Sequence, residues 1–229
     1  MSTLADISPK PLRVGGFVPL TTVDYPGELS AVVFTQGCPW RCRYCHNPDL
    51  LPARADTQWH WPDVLKILER RRGLLDAVVF SGGEPVMQAS IRDAIMQVRA
   101  LGFKVGLHSA GIYPKRLASL LPLIDWIGLD VKALPANYPG ITTVHASGRA
   151  AWASVAQVLA SRVAHQFRIT VHPQLTSEKQ VNEIERRLLE LGAQEVVRQP
   201  VRTERCFDPS LEEYQETFSE APEESLLEA

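Results

Sequence analysis

The sequence predicts one α/β domain, with a parallel sheet covered by helices on its outer face. The chain has 229 residues, which suits one domain and is short for two. Hydrophobic residues make up 45% and charged residues 22%, and these ordinary globular values exclude disordered and fibrous classes. Short apolar runs alternate with amphipathic helical patterns along most of the chain, as expected of βα units.

The first thirty residues do not follow this alternation. Residues 1–13 are predicted to form a loose leader. Residues 15–30 read as irregular or hairpin structure, because Gly15, Gly16, Pro19, Pro26 and Gly27 interrupt them.

Six apolar runs are then predicted as strands. Several are nearly continuous, as buried parallel strands require. They are residues 31–35, 77–80, 104–107, 126–129, 167–171 and 195–198.

Helices are predicted between these strands from apolar residues at spacings of three and four. Pro62 marks the start of the first helix, and a capping box from Ser177 to Gln180 precedes the last. A short helix is expected over residues 114–121. The predicted buried stripes are Trp61, Val64, Leu65 and Leu68; Ile91, Ala94, Ile95 and Val98; Trp152, Val155, Ala156 and Leu159; and Val181, Ile184, Leu188 and Leu191.

Six βα units imply right-handed crossovers, and they form either an open sheet or a partly closed barrel. In both architectures ligands bind at the carboxyl ends of the strands. Unusual polar loops follow five of the six predicted strands, so we expect one site assembled from several loops. These loops contain residues 38–45, 81–85, 108–111, 130–132 and 172–173.

The cysteines point to the chemistry of this site. The chain has four, and Cys38, Cys42 and Cys45 form a C-x3-C-x2-C loop directly after the first strand. Three thiolates on one loop select zinc or an iron–sulfur cluster. A structural zinc site needs a fourth ligand, which His46 or Cys206 can supply, so a zinc-binding interaction module stays open as an alternative. Three thiolates without an obvious fourth suit a 4Fe-4S cluster with one open iron.

The cysteine loop, with Tyr44 before its last cysteine, resembles the signature of the radical S-adenosylmethionine (SAM) superfamily. The flanking segments 35–37 (Thr-Gln-Gly) and 46–48 (His-Asn-Pro) are similar to those of glycyl-radical-enzyme activating enzymes. Residues 15–52, including Thr-Thr-Val-Asp-Tyr-Pro-Gly at 21–27, most resemble anaerobic ribonucleoside-triphosphate reductase activating proteins. The likeness extends from about residue 15 to residue 206.

The resemblance implies a partial (β/α)6 barrel over residues 14–206, followed by an acidic tail at 207–229. It also implies that the open iron of one 4Fe-4S cluster chelates SAM. An electron from a flavodoxin- or ferredoxin-type donor then cleaves SAM to methionine and a 5'-deoxyadenosyl radical. In an activating enzyme, this radical abstracts hydrogen from a glycine of a partner protein. The resemblance implies that the partner here is an anaerobic ribonucleotide reductase. A small-molecule radical SAM enzyme, such as a deazaguanine synthase, is the alternative.

The resemblance also assigns residues to SAM. The segment Gly82, Gly83 and Glu84 is expected to hold its amino group. Asp130 and Lys132 occupy alternate positions at a strand end and therefore point the same way. We expect both at the cofactor, with the lysine meeting the carboxylate.

Further expected cofactor contacts are Tyr44, Ser109 and His172. His172 is placed beside the adenosine or the carboxylate. His108 stands where activating enzymes often carry an Asp of a monovalent cation site. Because of this departure, the sequence gives no basis for expecting that cation.

Charge is divided unevenly along the chain. Residues 206–229 hold eight of the 26 acidic residues and no Lys or Arg, so the rest of the chain is net basic. A basic body is compatible with an anionic ligand or an acidic partner. No signal peptide or apolar run of about 18 residues is present, so we expect a cytoplasmic protein without membrane or nucleic-acid partners.

Overall fold

The computed structural model describes residues 11–211 and confirms the α/β fold. One seven-stranded sheet has its strands side by side in chain order. The first strand is antiparallel to the second, and each later strand is parallel to its predecessor. The strands are β1 (Val14–Thr21), β2 (Ser30–Thr35), β3 (Ala77–Gly82), β4 (Lys104–Ser109), β5 (Trp126–Asp130), β6 (Ala164–Val171) and β7 (Val196–Pro200).

The strand order identifies a partial barrel rather than a doubly wound sheet. When each right-handed crossover adds the next strand on the same side, all the helices lie on one face of the sheet. The other face becomes the barrel interior. Within residues 11–211, β1 pairs only with β2 and β7 only with β6, so the barrel is open between β1 and β7.

Six α-helices are present in the described part of the chain, and five match the predicted patterns. The last begins after Ser177, whose predicted capping box with Gln180 is confirmed. The fourth helix was not predicted, since it is only five residues long and contains Pro139 and Gly140. The helices are α1 (Trp61–Glu69), α2 (Ile91–Ala100), α3 (Pro114–Leu120), α4 (Tyr138–Thr142), α5 (Ser147–Leu159) and α6 (Glu178–Glu190), and single 3-10 turns occupy Pro48–Leu50, Pro85–Met87 and Leu121–Leu123.

The buried face of α5 differs from the predicted stripe. Ala156 is exposed, whereas Ser154 and Val155 are buried. Ser154 donates a hydrogen bond of 2.8 Å to the backbone oxygen of Gly111, in the loop after β4. The helix and this loop are so close that a Cβ on Gly111 would lie only 2.8 Å from Ser154 Cβ. Only small side chains fit between them, so the helix turns its small residues toward the loop.

The two faces of the sheet differ in polarity. Outward side chains such as Phe80, Leu107 and Phe167 pack under the helices in the main core. Inward side chains at the amino ends of the strands form a second apolar cluster, which includes a stack of Tyr25 on Trp126 with ring centroids 5.2 Å apart. Inward positions at the carboxyl ends are polar, because side chains alternate along a strand and the upper barrel is not filled by apolar groups.

The described residues beside both predicted domain boundaries pack against the domain rather than extending from it. Leu12, assigned to the leader, is buried in the main core. Leu211, assigned to the acidic tail, is also buried. The rest of these two predicted segments, 1–10 and 212–229, lies outside the described residues. None of the helices in the described part of the chain has the length and apolar character needed to cross a bilayer.

Candidate active site

A cleft at the carboxyl ends of the strands gathers most of the residues predicted from the sequence. The loops after β2, β3, β4 and β5 all contribute to it. Glu84 and His172 do not line this cleft. The predicted residues that do are Cys38, Cys42, Tyr44, Cys45, Gly82, Gly83, Ser109, Asp130 and Lys132.

The cysteine loop is held by backbone hydrogen bonds at its start. The N–H of Gly37 donates to Leu50 at 2.8 Å, and the N–H of Cys38 donates to Leu51 at 3.1 Å. The side chain of Gln36 closes the same turn by donating to the backbone oxygens of Asp49 and Pro52. These bonds satisfy backbone groups locally, so the thiols are presented from a fixed loop.

Two further segments support the middle and end of this loop. The N–H of Arg43 donates to Ile141 of α4 at 2.9 Å. From the other side, the N–H groups of Phe207 and Asp208 donate to the oxygens of Cys45 and Arg43, and the Asp208 carboxylate pairs with the Arg43 guanidinium at 2.6 Å. The C-terminal end of the described chain therefore braces the cysteine loop.

The buried environment of the cysteine thiols disfavours the thiolate form that binds metals. Burial raises the pKa of Cys38 to about 12 and also raises that of Cys42. A bound metal cation reverses this effect by stabilising the thiolate. Within residues 11–211, no three His, Cys, Asp or Glu side chains are close enough to hold one metal ion. In a 4Fe-4S cluster each of the three thiolates would bind a different iron, so such a cluster does not need them to converge on one ion.

Gly82, the last residue of β3, and Gly83 permit very close contact with the cysteine loop. Gly82 has a φ of +110°, and a Cβ there would lie 2.4 Å from the backbone nitrogen of Thr35. A Cβ on Gly83 would lie 2.3 Å from the backbone oxygen of Gly37. In return, the N–H of Gly83 donates to Thr35 at 3.0 Å and that of Glu84 donates to Gly37 at 2.9 Å.

We therefore expect Gly83→Ala to displace the backbone just before Cys38. The added methyl group has no space, and such overpacking costs about 1–3 kcal/mol of unfolding free energy. Urea unfolding and iron content after anaerobic reconstitution measure the two effects. The control is Gly140→Ala, where a Cβ meets nothing within 4 Å. Equal behaviour of the two variants would contradict this role for Gly83.

Glu84 is buried and does not line the cleft, although the sequence analysis expects it to bind SAM. Its carboxylate is fully buried and accepts hydrogen bonds from Ser109 Oγ at 2.9 Å, from the N–H of Ala110 at 2.9 Å and from the N–H of Val86 at 3.1 Å. Glu84 thereby ties the loop after β3 to the loop after β4. Its binding to the SAM amino group stays a prediction.

The burial of Glu84 predicts a pH dependence of stability. Burial raises its pKa to about 7, although the hydrogen bonds from Ala110, Ser109 and Val86 oppose this rise. A carboxyl whose pKa is higher in the folded state stabilises the protein below its unfolded pKa, and this contribution is lost as pH rises through about 7. Between pH 5 and pH 8, the wild type is expected to lose about 3 kcal/mol that Glu84→Gln does not lose. Parallel urea titrations of both proteins test this; identical pH profiles would contradict it.

Asp130 and Lys132 lie together, as predicted, and a third residue joins them. Asp130 Oδ2 is 3.3 Å from Lys132 Nζ, and its Oδ1 is 2.8 Å from the Arg168 guanidinium. Burial alone would raise the pKa of Asp130, but Arg168 and Lys132 hold it at about 2. The three side chains remain ionised and leave one net positive charge at the cleft wall.

Arg168 lines the cleft and was missed by the sequence analysis. The sequence analysis predicts residues 167–171 as one apolar strand. Its alternation carries the missing signal, because Phe167 and Ile169 point to the main core while Arg168 and Thr170 point to the barrel interior. A strand with an Arg on the inner face of a barrel needs an anionic partner there.

Tyr44 presents an unsatisfied polar atom. Its hydroxyl is buried and forms no hydrogen bond within residues 11–211. Lys132 Nζ lies 5.3 Å from the centre of its ring. Buried polar groups are normally hydrogen-bonded, so this hydroxyl fits a site completed by a bound molecule or water.

Three other residues, Ser109, His108 and His172, form hydrogen bonds to other groups of the protein. Ser109 Oγ binds Glu84 and accepts from the N–H of Gly111 at 3.0 Å, although Ser109 also lines the cleft. His108 Nε2 lies 2.8 Å from the backbone oxygen of Asp24, and burial lowers its pKa to about 3, so the ring is neutral. His172 is buried away from the cleft and its Nδ1 accepts from the N–H of Gln174. Its cofactor role stays a prediction.

Cys206 also lies outside the cleft lining. Its thiol donates to the backbone oxygen of Arg202 at 3.2 Å. It borders a neighbouring groove together with Asn47 and Leu50. Cys206 therefore does not line the cleft with the other three cysteines, but it lies near Cys45, since burial and the neighbouring Cys45 both raise the pKa of Cys206.

Comparisons with known proteins agree with this site. Residues 32–186 match the Radical SAM superfamily. A Methanocaldococcus jannaschii protein named glycyl-radical enzyme activating enzyme is 28% identical over 194 residues, covering 75% of this chain and 73% of that protein. Pyruvate formate-lyase 1-activating enzyme of Escherichia coli K12 is 32% identical over 130 residues, covering 53% of this chain and 52% of its own length. The chain thus spans about half the length of the latter relative.

Solved structures share the fold at low identity. Streptococcus suis SuiB bound to S-adenosylmethionine has a TM-score of 0.58 at 16% identity, covering 73% of this chain and 39% of SuiB. QueE from Escherichia coli has a TM-score of 0.53 at 15% identity, covering 83% and 84% of the two chains. The family match, three thiols on the loop after β2 and the partial barrel all agree. The chain therefore belongs to the radical SAM superfamily and is an enzyme that uses a 4Fe-4S cluster and SAM.

Proposed function

We propose that this enzyme installs a glycyl radical on a partner protein, and that the partner is an anaerobic ribonucleoside-triphosphate reductase. The observation that carries the proposal is the cysteine loop together with its flanking segments. Residues 35–37 and 46–48 are similar to those of activating enzymes, and residues 15–52 to those of reductase activating proteins. The relatives named above support the broader class, since both are named activating enzymes.

The cleft contains groups suited to each part of the cofactors. Cys38, Cys42 and Cys45 would each hold one iron of the cluster and leave the fourth open. When bound, cluster and SAM together supply a 5'-deoxyadenosyl radical that removes hydrogen from a glycine Cα. Among the residues of this chain, Lys132 offers a retained positive charge to the SAM carboxylate. Burial opposes that charge, but the acidic groups around it, Tyr44 and Asp130 first, raise the pKa of Lys132.

Other residues shape the site without touching the reaction. Gly82 and Gly83 line the cleft, and their lack of side chains lets the backbone of the cysteine loop pack against them. Trp40 is a buried residue of the cleft wall, with its ring 5.9 Å from that of Tyr138. This packing keeps water from one side of the loop, which an oxygen- and water-sensitive cluster requires.

The test is reconstitution with the proposed partner. The purified chain is loaded anaerobically with iron and sulfide, then mixed with SAM, a reductant and the ribonucleotide reductase of the same organism. We expect methionine formation and a glycyl radical doublet in the EPR spectrum of the reductase. A reductase variant with Ala at its target glycine is the control. Flavodoxin and ferredoxin are compared as electron donors in the same assay.

Two outcomes would change the assignment. A radical on pyruvate formate-lyase but not on the reductase would replace the proposed partner while keeping the class. SAM cleavage without a radical on any glycyl radical enzyme would overturn the activating function and favour a small-molecule substrate.

A further inference from the structure

One side chain of the cysteine loop binds two carbonyl groups of the same loop. Arg41 Nη1 donates to the backbone oxygen of Cys38 at 2.7 Å and to that of Trp40 at 3.1 Å. Arg41 does not line the cleft, so these two oxygens are turned toward a group outside it. Within residues 11–211, no carboxylate forms a salt bridge with Arg41, so its positive charge is not neutralised by an ion pair there.

Alternate backbone N–H groups of the loop point away from the thiols, toward α4. The N–H of Arg41 donates to the oxygen of Thr142 at 3.1 Å, and that of Arg43 donates to the oxygen of Ile141 at 2.9 Å. The last carbonyl groups of a helix have no partner within the helix, so the end of α4 can accept both bonds. This pairing fixes the direction of every second peptide group in the loop.

The intervening N–H groups lie near the thiols. Burial raises the pKa of Cys38 and the charge of Glu84 adds to the rise, whereas a hydrogen bond from the backbone N–H of Trp40 opposes it. Burial also raises the pKa of Cys42, and this rise is opposed first by Lys132 and then by the backbone N–H of Cys42 itself. Backbone N–H groups that point to one side form a concavity for anions, which is common at iron–sulfur sites.

We propose that Arg41 is a positioning residue that makes the cluster easier to reduce. By binding the oxygens of Cys38 and Trp40, it fixes the peptide groups on both sides of the Trp40 N–H, which then faces the Cys38 thiolate. Net charge and hydrogen bonds to the sulfurs set the reduction potential of iron–sulfur clusters. A positive charge beside the loop therefore favours the added electron. The inference concerns the cluster and is independent of which partner receives the radical.

Three substitutions of Arg41 separate its charge from its hydrogen bonds. Arg41→Lys keeps a charged donor, Arg41→Gln keeps a neutral donor, and Arg41→Ala removes both. The midpoint potential of the reconstituted cluster is measured without SAM by a redox titration followed by EPR, and iron release to a chelator is followed in parallel. We expect Arg41→Lys to lie nearest the wild type, with Arg41→Gln and then Arg41→Ala harder to reduce. For Arg41→Ala, the equilibrium constant for reduction is expected to fall about tenfold or more, which is about 59 mV per tenfold for one electron.

Arg92→Gln is the matched control. Arg92 also donates to a backbone oxygen, that of Ser119 at 3.3 Å, but it lies on α2 and does not line the cleft. Its potential is expected to equal that of the wild type, and an equal shift in this variant would overturn the proposal. If Arg41→Ala fails to load iron, Arg41→Gln and Arg41→Lys give the result.

An unchanged potential in Arg41→Gln would overturn the proposal even if iron is released faster, because a merely structural role weakens the loop without changing how readily the cluster is reduced. These potentials are measured without the reductase. Failure to form a radical on the reductase would therefore overturn the proposed partner and leave the role of Arg41 to be decided by the titration.

Discussion

Replacing any one of Cys38, Cys42 and Cys45 by Ala is expected to abolish reductive SAM cleavage. Each thiol lines the same cleft and each would ligate a different iron, so the loss of one leaves an incomplete cluster. Loss of a residue that only supports a metal ligand already costs about 10–100-fold, and loss of a ligand exceeds this. We therefore expect cleavage to fall more than about 100-fold, to the background.

The measurements are iron and sulfide per chain after anaerobic reconstitution, the visible absorption of the cluster, and methionine formed from SAM. Circular dichroism checks that each variant folds. Cys206→Ala is the matched control, because Cys206 lies outside the cleft and hydrogen-bonds to Arg202. If Cys206→Ala loses the cluster as well, four cysteines rather than three hold it.

The second large effect is expected from Asp130→Asn. In the folded protein, the Asp130 carboxylate lies between Lys132 and Arg168, whose side chains are only 7% and 12% exposed. Removing its charge leaves two buried cations without their partner, which costs about 3–5 kcal/mol in comparable sites. We expect that loss in the free energy of unfolding, together with weaker SAM binding.

Asp63→Asn provides the comparison. Asp63 also pairs with a lysine, at 3.0 Å from Lys66, but both side chains are more than half exposed. Such surface pairs contribute about 0–1 kcal/mol. A loss of less than about 1 kcal/mol for Asp130→Asn would show that the buried triad does not stabilise the fold.

The same triad predicts the behaviour of the protein in acid. The pKa of Asp130 is lowered to about 2 in the folded protein, from an ordinary value of 3.8. Its stabilising contribution is therefore complete above the ordinary value and is lost as pH falls toward 2. Asp130→Asn should lack this component of acid unfolding. Equal acid sensitivity of variant and wild type would contradict the assignment.

The sequence alone predicted the features that depend on neighbours along the chain. Apolar periodicity is a local property, so the six parallel strands and five of the helices were predictable. The capping box at Ser177 and the C-x3-C-x2-C loop are local in the same sense. Placing the loops in one site needed only the rule that parallel strands bring their carboxyl ends to one edge.

Contacts between distant segments were not predictable in this way. Arg168 reaches Asp130 because β5 and β6 pair in a register that sets these two residues side by side. The buried bonds of Glu84 depend on the loop after β4, and the face of α5 depends on its approach to Gly111. Each of these contacts depends on how two distant segments are positioned relative to each other. Apolar periodicity describes one segment at a time and contains no such information.

The four cysteines show the same division. Sequence by itself determined that three of them lie together, since their spacing confines them to one loop after a buried strand. Only the tertiary structure showed that Cys206 lies in the wall of a separate groove. The number of residues between two cysteines does not determine where the C-terminal segment packs against the domain. Likewise, only the tertiary structure showed that the barrel is open between β1 and β7. Strand pairing, and not strand sequence, determines which edges remain free.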